Sequence, residues 1–116
     1  MKDASLKFTL SKEERLHRKI EIEFLFSKGK KYTIFPLTLI HTKSLDGDET
    51  KVIFLASKRT FPKAYQRNKA KRVLKEVYRL NKHLVKPHTF IGLSLINKKY
   101  TFLEVEKCFK NALSHI

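Results

Sequence analysis

The basic side chains between Tyr65 and Arg79 have the clearest chemical character in this sequence. The stretch reads YQRNKAKRVLKEVYR and holds six basic residues and one acid. Guanidinium and ammonium groups at this density bind phosphate oxygens, by charge and, for arginine, by paired hydrogen bonds. The stretch is therefore either a strongly solvated helix face or a binding surface for a polyanion.

The spacing of this stretch separates apolar from basic residues if the stretch is a helix. On a helical wheel with Ala70 at the origin, the apolar side holds Val73, Leu74, Val77, Tyr78, Leu80 and Leu84. The basic side holds Asn68, Lys71, Arg72, Lys75, Arg79 and Lys82. Like charges four residues apart repel by about 0.2–0.5 kcal/mol per pair, so a merely solvated face normally mixes signs. We therefore predict a phosphate-binding face, with Arg67 near the edge of the core.

Composition favours one basic globular domain over residues 1–116, in which residues 1–12 are loosely ordered. The chain has 26 Lys and Arg against 11 Asp and Glu, a formal net charge of +15. Such an excess repels itself in the compact state, and a polyanionic partner, nucleic acid above all, explains it. The single cysteine, Cys108, excludes an intrachain disulfide and is expected in the core. No secretory signal or membrane-spanning run is present, so we predict a cytoplasmic protein.

No arrangement typical of an enzyme site is found in the sequence. It has no glycine-rich phosphate loop, and its carboxylates are typical of helix starts and surface positions. The histidines show no metal-ligand spacing and are expected at surface or turn positions; they are His17, His41, His83, His88 and His115. The sequence thus offers no candidate catalytic residue, metal site or cofactor-binding motif.

The first predicted element is a helix that begins with a capping box at Ser11 and Glu14 and continues to Lys28. Gly29 would end it as a left-handed C-cap. Ile20 and Phe24 share one side of this helix, and Ile22 and Phe26 lie on nearly the opposite side. Two apolar stripes indicate either burial on two sides or a partly open stripe that meets a ligand.

The remaining pattern alternates strands and helices. TIFPLTLIHT is predicted as a strand bent or started at Pro36, paired in a hairpin with TKVIFLAS across the turn LDGDE. The basic helix runs from about Pro62 to Leu84, and TFIGLSLIN follows as a buried strand. A capping box at Thr101 opens the last helix, whose apolar face holds Phe102, Val105, Phe109 and Ala112. This order predicts an α+β two-layer sandwich.

A second candidate surface combines charge with apolar and aromatic groups. Lys58 and Arg59 follow the strand TKVIFLAS, and Ile22 and Phe26 form the additional stripe of the first helix. Cations beside an exposed aromatic ring suit single-stranded nucleic acid, where stacking contributes roughly 1–3 kcal/mol per base. For Phe26, ordinary core packing is an equally good interpretation of the spacing.

These residues carry a family resemblance. RNKAKRVLKEVYRLNK, preceded by SKR and a short loop, resembles the signature helix of the bacterial ribonuclease P protein subunit, whose pattern is an Arg-Asn-Arg core, then Lys-Arg, then Glu. Arg15, Leu16, Glu21, Phe26 and the pair Gly29–Lys30 match the first helix of that family. The resemblance extends from about Arg15 to Leu113.

The resemblance implies a specific function. The family assists a ribozyme that removes the 5′ leader from precursor tRNA, and the RNA subunit with bound Mg²⁺ does the chemistry. The residues matching the face toward the ribozyme RNA are Arg67, Asn68, Lys69, Lys71, Arg72, Lys75 and, further along the same helix, Arg79. The residues matching the leader-binding cleft are Ile22, Phe26, Lys58 and Arg59. The implied fold also has a left-handed crossover between two parallel strands, an exception to the general rule.

Three departures and two alternatives accompany this interpretation. Lys69 stands where the family has the second arginine of its core, and Ile22 replaces an aromatic residue. The loop before Arg67 is also about one residue longer than the common form. A ribosomal-type structural RNA-binding protein, with no role in cleavage, would have a similar composition. An autonomous nuclease is the other alternative, although the sequence lacks the clustered carboxylates which that chemistry normally needs.

Overall fold

Helices and strands alternate along the chain. The computed structural model describes residues 14–47 and 49–115, and of Asp46 the backbone alone. The elements are α1 (Lys19–Lys28), β1 (Lys30–Ile34), β2 (Leu37–Lys43), β3 (Lys51–Leu55), α2 (Ala64–Asn81), β4 (Thr89–Leu95) and α3 (Phe102–Leu113). The α+β class and the order helix, strands, helix, strand, helix are confirmed.

The four strands form one mixed sheet in the order β1-β2-β4-β3. Strands β1 and β2 form an antiparallel hairpin around Phe35–Pro36, so the predicted bend at Pro36 is confirmed. The predicted hairpin between TIFPLTLIHT and TKVIFLAS is wrong, because β4 lies between β2 and β3. Strand β4 is buried along almost its whole length, which is why the central position suits it better than an edge.

Strands β3 and β4 run parallel, and α2 connects them. Two neighbouring parallel strands require such a crossover connection, because a short turn would make the second strand antiparallel to the first. The parallel pair and its connecting helix agree with the fold that the resemblance implies. The left-handed sense of the crossover stays a prediction.

The larger core lies between one face of the sheet and helices α2 and α3. Its fully buried side chains include Leu39, Leu93, Leu74, Val77 and Phe109. The ring of Tyr78 on α2 meets the ring of Phe54 on β3 nearly edge-on, with 6.0 Å between centroids. Burial of these apolar faces is what holds α2 in one orientation on the sheet.

A smaller core lies on the other face of the sheet, where α1 packs against β2 and β4. Leu25 of α1 is buried there with Ile40, Phe90 and Leu16. The predicted two-layer sandwich is therefore extended by α1, which forms a partial layer on the face of the sheet opposite to α2 and α3. The side of α1 that faces the sheet carries Glu21 and Leu25, and this side lies between the two predicted apolar stripes. Phe26 remains 48% exposed.

Helix α1 ends at Lys28 as predicted, but its start and the conformation of its C-cap differ from the prediction. The helix begins at Lys19 rather than near Ser11, because Arg15 forms a β-bridge with Val52 and the Leu16 amide donates to the Val52 carbonyl at 2.9 Å. The capping box at Ser11 and the order of residues 1–12 lie outside the described residues. Gly29 has φ −72° and ψ 152°, so the left-handed C-cap is wrong. Glycine is needed there for space, since a Cβ would lie 2.6 Å from Ile40 Cγ1.

Helices α2 and α3 follow the predicted pattern closely. Thr101 and Glu104 form the predicted capping box of α3. Cys108 is buried as expected, and its burial raises the pKa of the thiol. Leu80 and Leu84 are exposed, contrary to their predicted place in the core. Leu80 lies at the edge of the apolar side of α2, and Leu84 lies in the 3₁₀ turn that follows the end of α2 at Asn81. Among the described residues, no helix is long and apolar enough to cross a membrane.

A buried ion pair connects α1 to β3. Glu21 is 3% exposed, and its Oε2 accepts a hydrogen bond from Lys51 Nζ at 3.0 Å. The other oxygen, Oε1, is buried without a hydrogen-bond partner. A buried carboxylate with so few partners depends strongly on the one cation that it has.

Replacing Lys51 by Met should therefore destabilise the protein by about 3–5 kcal/mol, because the Glu21 charge would be left buried and unpaired. Denaturant unfolding measures the loss. The double variant Glu21→Leu/Lys51→Met should recover most of it, since neither charge remains. A loss under about 1 kcal/mol in Lys51→Met would show that the pair does not hold α1 on the sheet.

Candidate nucleic-acid interface

Four polar residues of α2 line a hollow against β3. Because Ala70, Leu74 and Val77 are buried, the flank of α2 that carries these four polar residues faces the solvent beside the sheet. The hollow encloses about 390 Å³. Its lining consists of Asn68, Lys71, Arg72 and Lys75 of α2, Val52, Ile53 and Phe54 of β3, and Arg15, Leu16 and His17. We call this the α2–β3 hollow.

The α2–β3 hollow is basic and has an apolar floor. None of its α2 residues takes part in an ion pair within residues 14–47 and 49–115. Their positive charge is thus not neutralised inside the protein. An anionic chain such as an RNA backbone has the complementary charge and shape.

Arg67 lies at the edge of the core, as the helical wheel predicts. Its Nη1 donates to the carbonyl oxygens of Phe61 and Pro62 at 2.9 and 3.0 Å. Nε and Nη2 make no hydrogen bond to the described part of the chain. The guanidinium group is therefore held in one place while part of it stays available for a phosphate.

The carboxyl-terminal half of the predicted basic stripe is largely paired. Arg79 donates from Nε and Nη2 to the two oxygens of Glu76 at 2.7 and 2.8 Å, and this hydrogen bonding lowers the pKa of Glu76. Lys82 Nζ lies 3.0 Å from an oxygen of Glu14. The uncompensated charge of α2 is consequently concentrated around Lys71 and Lys75.

Lys69 lies apart from the other predicted RNA-binding residues. It shares a flank of α2 with Tyr65 and Val73, and this flank borders a groove on the side away from the α2–β3 hollow. On the helical wheel, Lys69 already lies outside the basic side of the predicted helix. Helix α2 therefore presents cations to two different surfaces.

The four residues predicted for the leader-binding cleft lie on α1 and in the turn after β3. Ile22 packs in the same apolar cluster as Ile53 of β3, and Phe26 is half-exposed one turn further along α1. Lys58 and Arg59 are exposed in the turn after β3. This turn is closed by the Thr60 amide, which donates to Ser57 Oγ at 3.2 Å. Ile22 and Phe26 thus lie on the α1 side of β3, and Lys58 and Arg59 lie at the carboxyl end of β3.

A row of hydroxyl groups lies on the sheet face that α1 partly covers, and sequence reasoning missed it. Thr33, Thr38 and Ser94 stand opposite one another in the register of β1, β2 and β4. Directly opposed residues point to the same face, and Thr38 shares that face with Ile40, beneath α1. Thr33 Oγ1 and Thr38 Oγ1 are 3.4 Å apart. The alternation in LTLIHT signals these polar positions, but pairing with β4 is needed to align them.

The described histidines are not arranged to ligate a metal. Among residues 14–47 and 49–115, no group of three or more His, Cys, Asp or Glu side chains is close enough to hold an ion. His41 stacks on Tyr32 with 5.5 Å between ring centroids. Burial, with the charges of Lys30 and Lys86, lowers its pKa, so the ring is neutral at pH 7. His41 is therefore a partly buried strand residue, contrary to the surface or turn position expected for it.

Comparison with known proteins decides the family. Residues 10–116 match the family described as Ribonuclease P. The chain belongs to this family. Two curated relatives, both named ribonuclease P protein component, come from two strains of Porphyromonas gingivalis. They are 39% and 36% identical over 83 and 80 residues. Each match covers 67% of this chain and 58% of the relative, so the chain spans less than two thirds of either relative.

Solved structures of the Ribonuclease P family share the fold. The ribonuclease P protein of Thermotoga maritima superposes with a TM-score of 0.76 at 25% identity, covering 89% of this chain and 97% of that one. The ribonuclease P protein of Staphylococcus aureus gives a TM-score of 0.75 at 18% identity, covering 88% and 94%. At that identity the second comparison supports the fold alone. The α+β fold is thus confirmed independently of the sequence motifs.

The α2–β3 hollow generates a prediction about salt dependence. Replacing Lys71 and Lys75 by Ala should weaken binding to a bacterial ribonuclease P RNA. It should also flatten the plot of log K against log salt by about 1.4–1.8, since each of the two phosphate contacts contributes roughly 0.7–0.9 to the slope. Filter binding over a series of salt concentrations measures both quantities.

The matched control is Lys107→Ala/Lys110→Ala, which removes the same charge from exposed positions on α3. Its slope should stay near that of the unchanged protein. If both double variants lower the slope equally, the protein binds RNA through its net charge and the hollow has no special role.

Proposed function

We propose that this chain is the RNA-binding protein subunit of a ribonuclease P holoenzyme, which removes the 5′ leader from precursor tRNA. The α2–β3 hollow carries this proposal, since it gathers unpaired cations of one helix over an apolar strand. The family match and the residues of the signature helix support the same role. Its partners would be the ribonuclease P RNA and leader-bearing precursor tRNA in the cytoplasm.

The protein would act by electrostatic binding. Arg67, Lys71, Arg72 and Lys75 would neutralise phosphates of the ribozyme RNA. Asn68 has no charge and would donate a hydrogen bond to the RNA backbone. Arg79 would contribute less, because Glu76 already occupies its guanidinium group. Lys69 would contact RNA on the other flank of α2.

The leader would lie on the sheet face beside α1. Phe26 offers a half-exposed ring for stacking, and Ile22 adds apolar contact where the family has an aromatic residue. Lys58 and Arg59 supply charge at the end of β3, and the hydroxyl row supplies hydrogen-bond donors to phosphate oxygens. Mature tRNA lacks the leader, so these contacts would favour substrate over product.

Cleavage would be done by the RNA subunit, with Mg²⁺ bound there. We assign no catalytic residue, metal or cofactor to the protein. Its contribution to the rate would be tighter binding of the substrate and of the active RNA fold, both of which depend on screening phosphate repulsion.

A ribosomal-type RNA-binding role is the second candidate. The net charge of +15 and the basic flank of α2 suit any structured RNA. The two roles differ in one respect, because a ribosomal-type protein would not distinguish an RNA with a 5′ leader from one without it.

Replacing Lys58 and Arg59 by Ala should weaken binding of precursor tRNA to the holoenzyme by roughly two- to thirtyfold, since an exposed ion pair contributes about 0.2–1 kcal/mol. Affinity for mature tRNA should change less than twofold, because it has no leader to contact these side chains. Competition binding at fixed salt measures both affinities.

The control is again Lys107→Ala/Lys110→Ala, which should leave the ratio of the two affinities unchanged. An equal loss for precursor and mature tRNA in the Lys58→Ala/Arg59→Ala variant would contradict the cleft assignment. It would favour the ribosomal-type role.

A further inference from the structure

A second groove lies on the flank of α2 that carries Lys69. It encloses about 800 Å³ between the β1–β2 turn, the first turns of α2 and the loop before α3. Its lining includes the aromatic residues Phe35, Tyr65 and Tyr100 and the lysines Lys69, Lys98 and Lys99. We call it the aromatic groove.

Two of the rings in the aromatic groove are unusually exposed. Phe35 is 65% exposed and Tyr65 is 66% exposed. Tyr100 is half-buried, and the buried ring of Phe61 meets it nearly edge-on at 6.2 Å. The groove thus has one fixed ring and two rings whose faces are open to a ligand.

The backbone that carries these rings is held by hydrogen bonds. The Ile96 amide donates to the Pro36 carbonyl at 2.9 Å, which ties the β1–β2 turn to the end of β4. Asn97 Nδ2 donates to the Lys99 carbonyl at 2.9 Å, which orders the loop before α3. A preformed wall reduces the conformational entropy that is lost when a ligand binds.

The charge of the aromatic groove is positive. None of its three lysines takes part in an ion pair within the described ranges. The acid that borders it is Glu104, whose Oε1 accepts from the Thr101 amide at 3.0 Å in the capping box of α3. A ligand with negative charge and flat faces is the complement of this surface.

We propose that the aromatic groove binds unpaired nucleotides of an RNA strand. Bases would stack on Phe35 and Tyr65, and Lys69, Lys98 and Lys99 would contact the phosphates between them. A double helix does not offer its base faces, and an acidic peptide has no flat groups for two exposed rings. The site goes beyond the proposed function, since it lies on the opposite flank of α2 from the α2–β3 hollow and outside the leader cleft.

The test uses the full chain with Phe26, Lys58 and Arg59 replaced by Ala, so that the leader cleft contributes little. Fluorescence anisotropy with a labelled hexa-adenylate probe measures binding. Adding Tyr65→Ala should weaken binding about fivefold or more, because one stacking surface is lost. Adding Tyr65→Phe should change it less than twofold, since the ring remains. Leu103→Ala removes a side chain that is 75% exposed outside the groove and should have no effect.

Photocrosslinking locates the bound strand independently. Hexa-4-thiouridylate should crosslink to the peptides that contain Phe35, Tyr65 or Tyr100. Equal binding by the Tyr65→Ala and Tyr65→Phe proteins, with no crosslink in these peptides, would overturn the proposal. Hexaglutamate binding that depends on Tyr65, without oligonucleotide binding, would also overturn it and indicate a protein partner. Both assays omit the ribozyme and the precursor, so their outcome is separate from that of the proposed leader recognition.

Discussion

The packing of α2 on the sheet is the interaction on which the two α2 surfaces depend. Ala70, Leu74 and Val77 are fully buried, and this burial fixes the rotation of the helix about its axis. Asn68, Lys71, Arg72 and Lys75 are thereby turned toward β3, while Tyr65 and Lys69 are turned toward the β1–β2 turn. A rotation of one residue would bury a lysine and expose a leucine. Core packing therefore determines which cations reach which ligand.

Ion pairs determine where the positive charge remains. Glu14, Glu21 and Glu76 are paired with Lys82, Lys51 and Arg79. These pairs join the segment before α1 to the end of α2, hold α1 on β3, and neutralise the last turn of α2. The cations of the α2–β3 hollow, the turn after β3 and the aromatic groove have no such pair among the described residues. These three acids of a very basic chain thus neutralise cations outside these surfaces.

Local patterns in the sequence predict α2 and α3 well, and they predict long-range pairing poorly. The capping box at Thr101 and the apolar side around Leu74 depend on residues within one or two turns, so their spacing is sufficient. The insertion of β4 between β2 and β3 pairs residues that are 39 to 58 positions apart, which no local pattern reveals. Pairing with β4 also sets Ser94 beside Thr38 in the hydroxyl row. The β1–β2 hairpin, in which Lys30 pairs with His41, brings Ile40 so close to Gly29 that a side chain cannot fit there. The basic flank of α2 was predictable, whereas the aromatic groove required the turn at Phe35 and the loop at Tyr100 to meet.

In the proposed function, the protein helps an RNA enzyme distinguish leader-bearing substrate from product. The most direct measurement is multiple-turnover cleavage of precursor tRNA by a bacterial ribonuclease P RNA at low Mg²⁺, with and without this chain, for leaders of increasing length. The account predicts stimulation that grows as the leader lengthens to fill the cleft and then levels off. The absence of stimulation, or equal stimulation at every leader length, would contradict it.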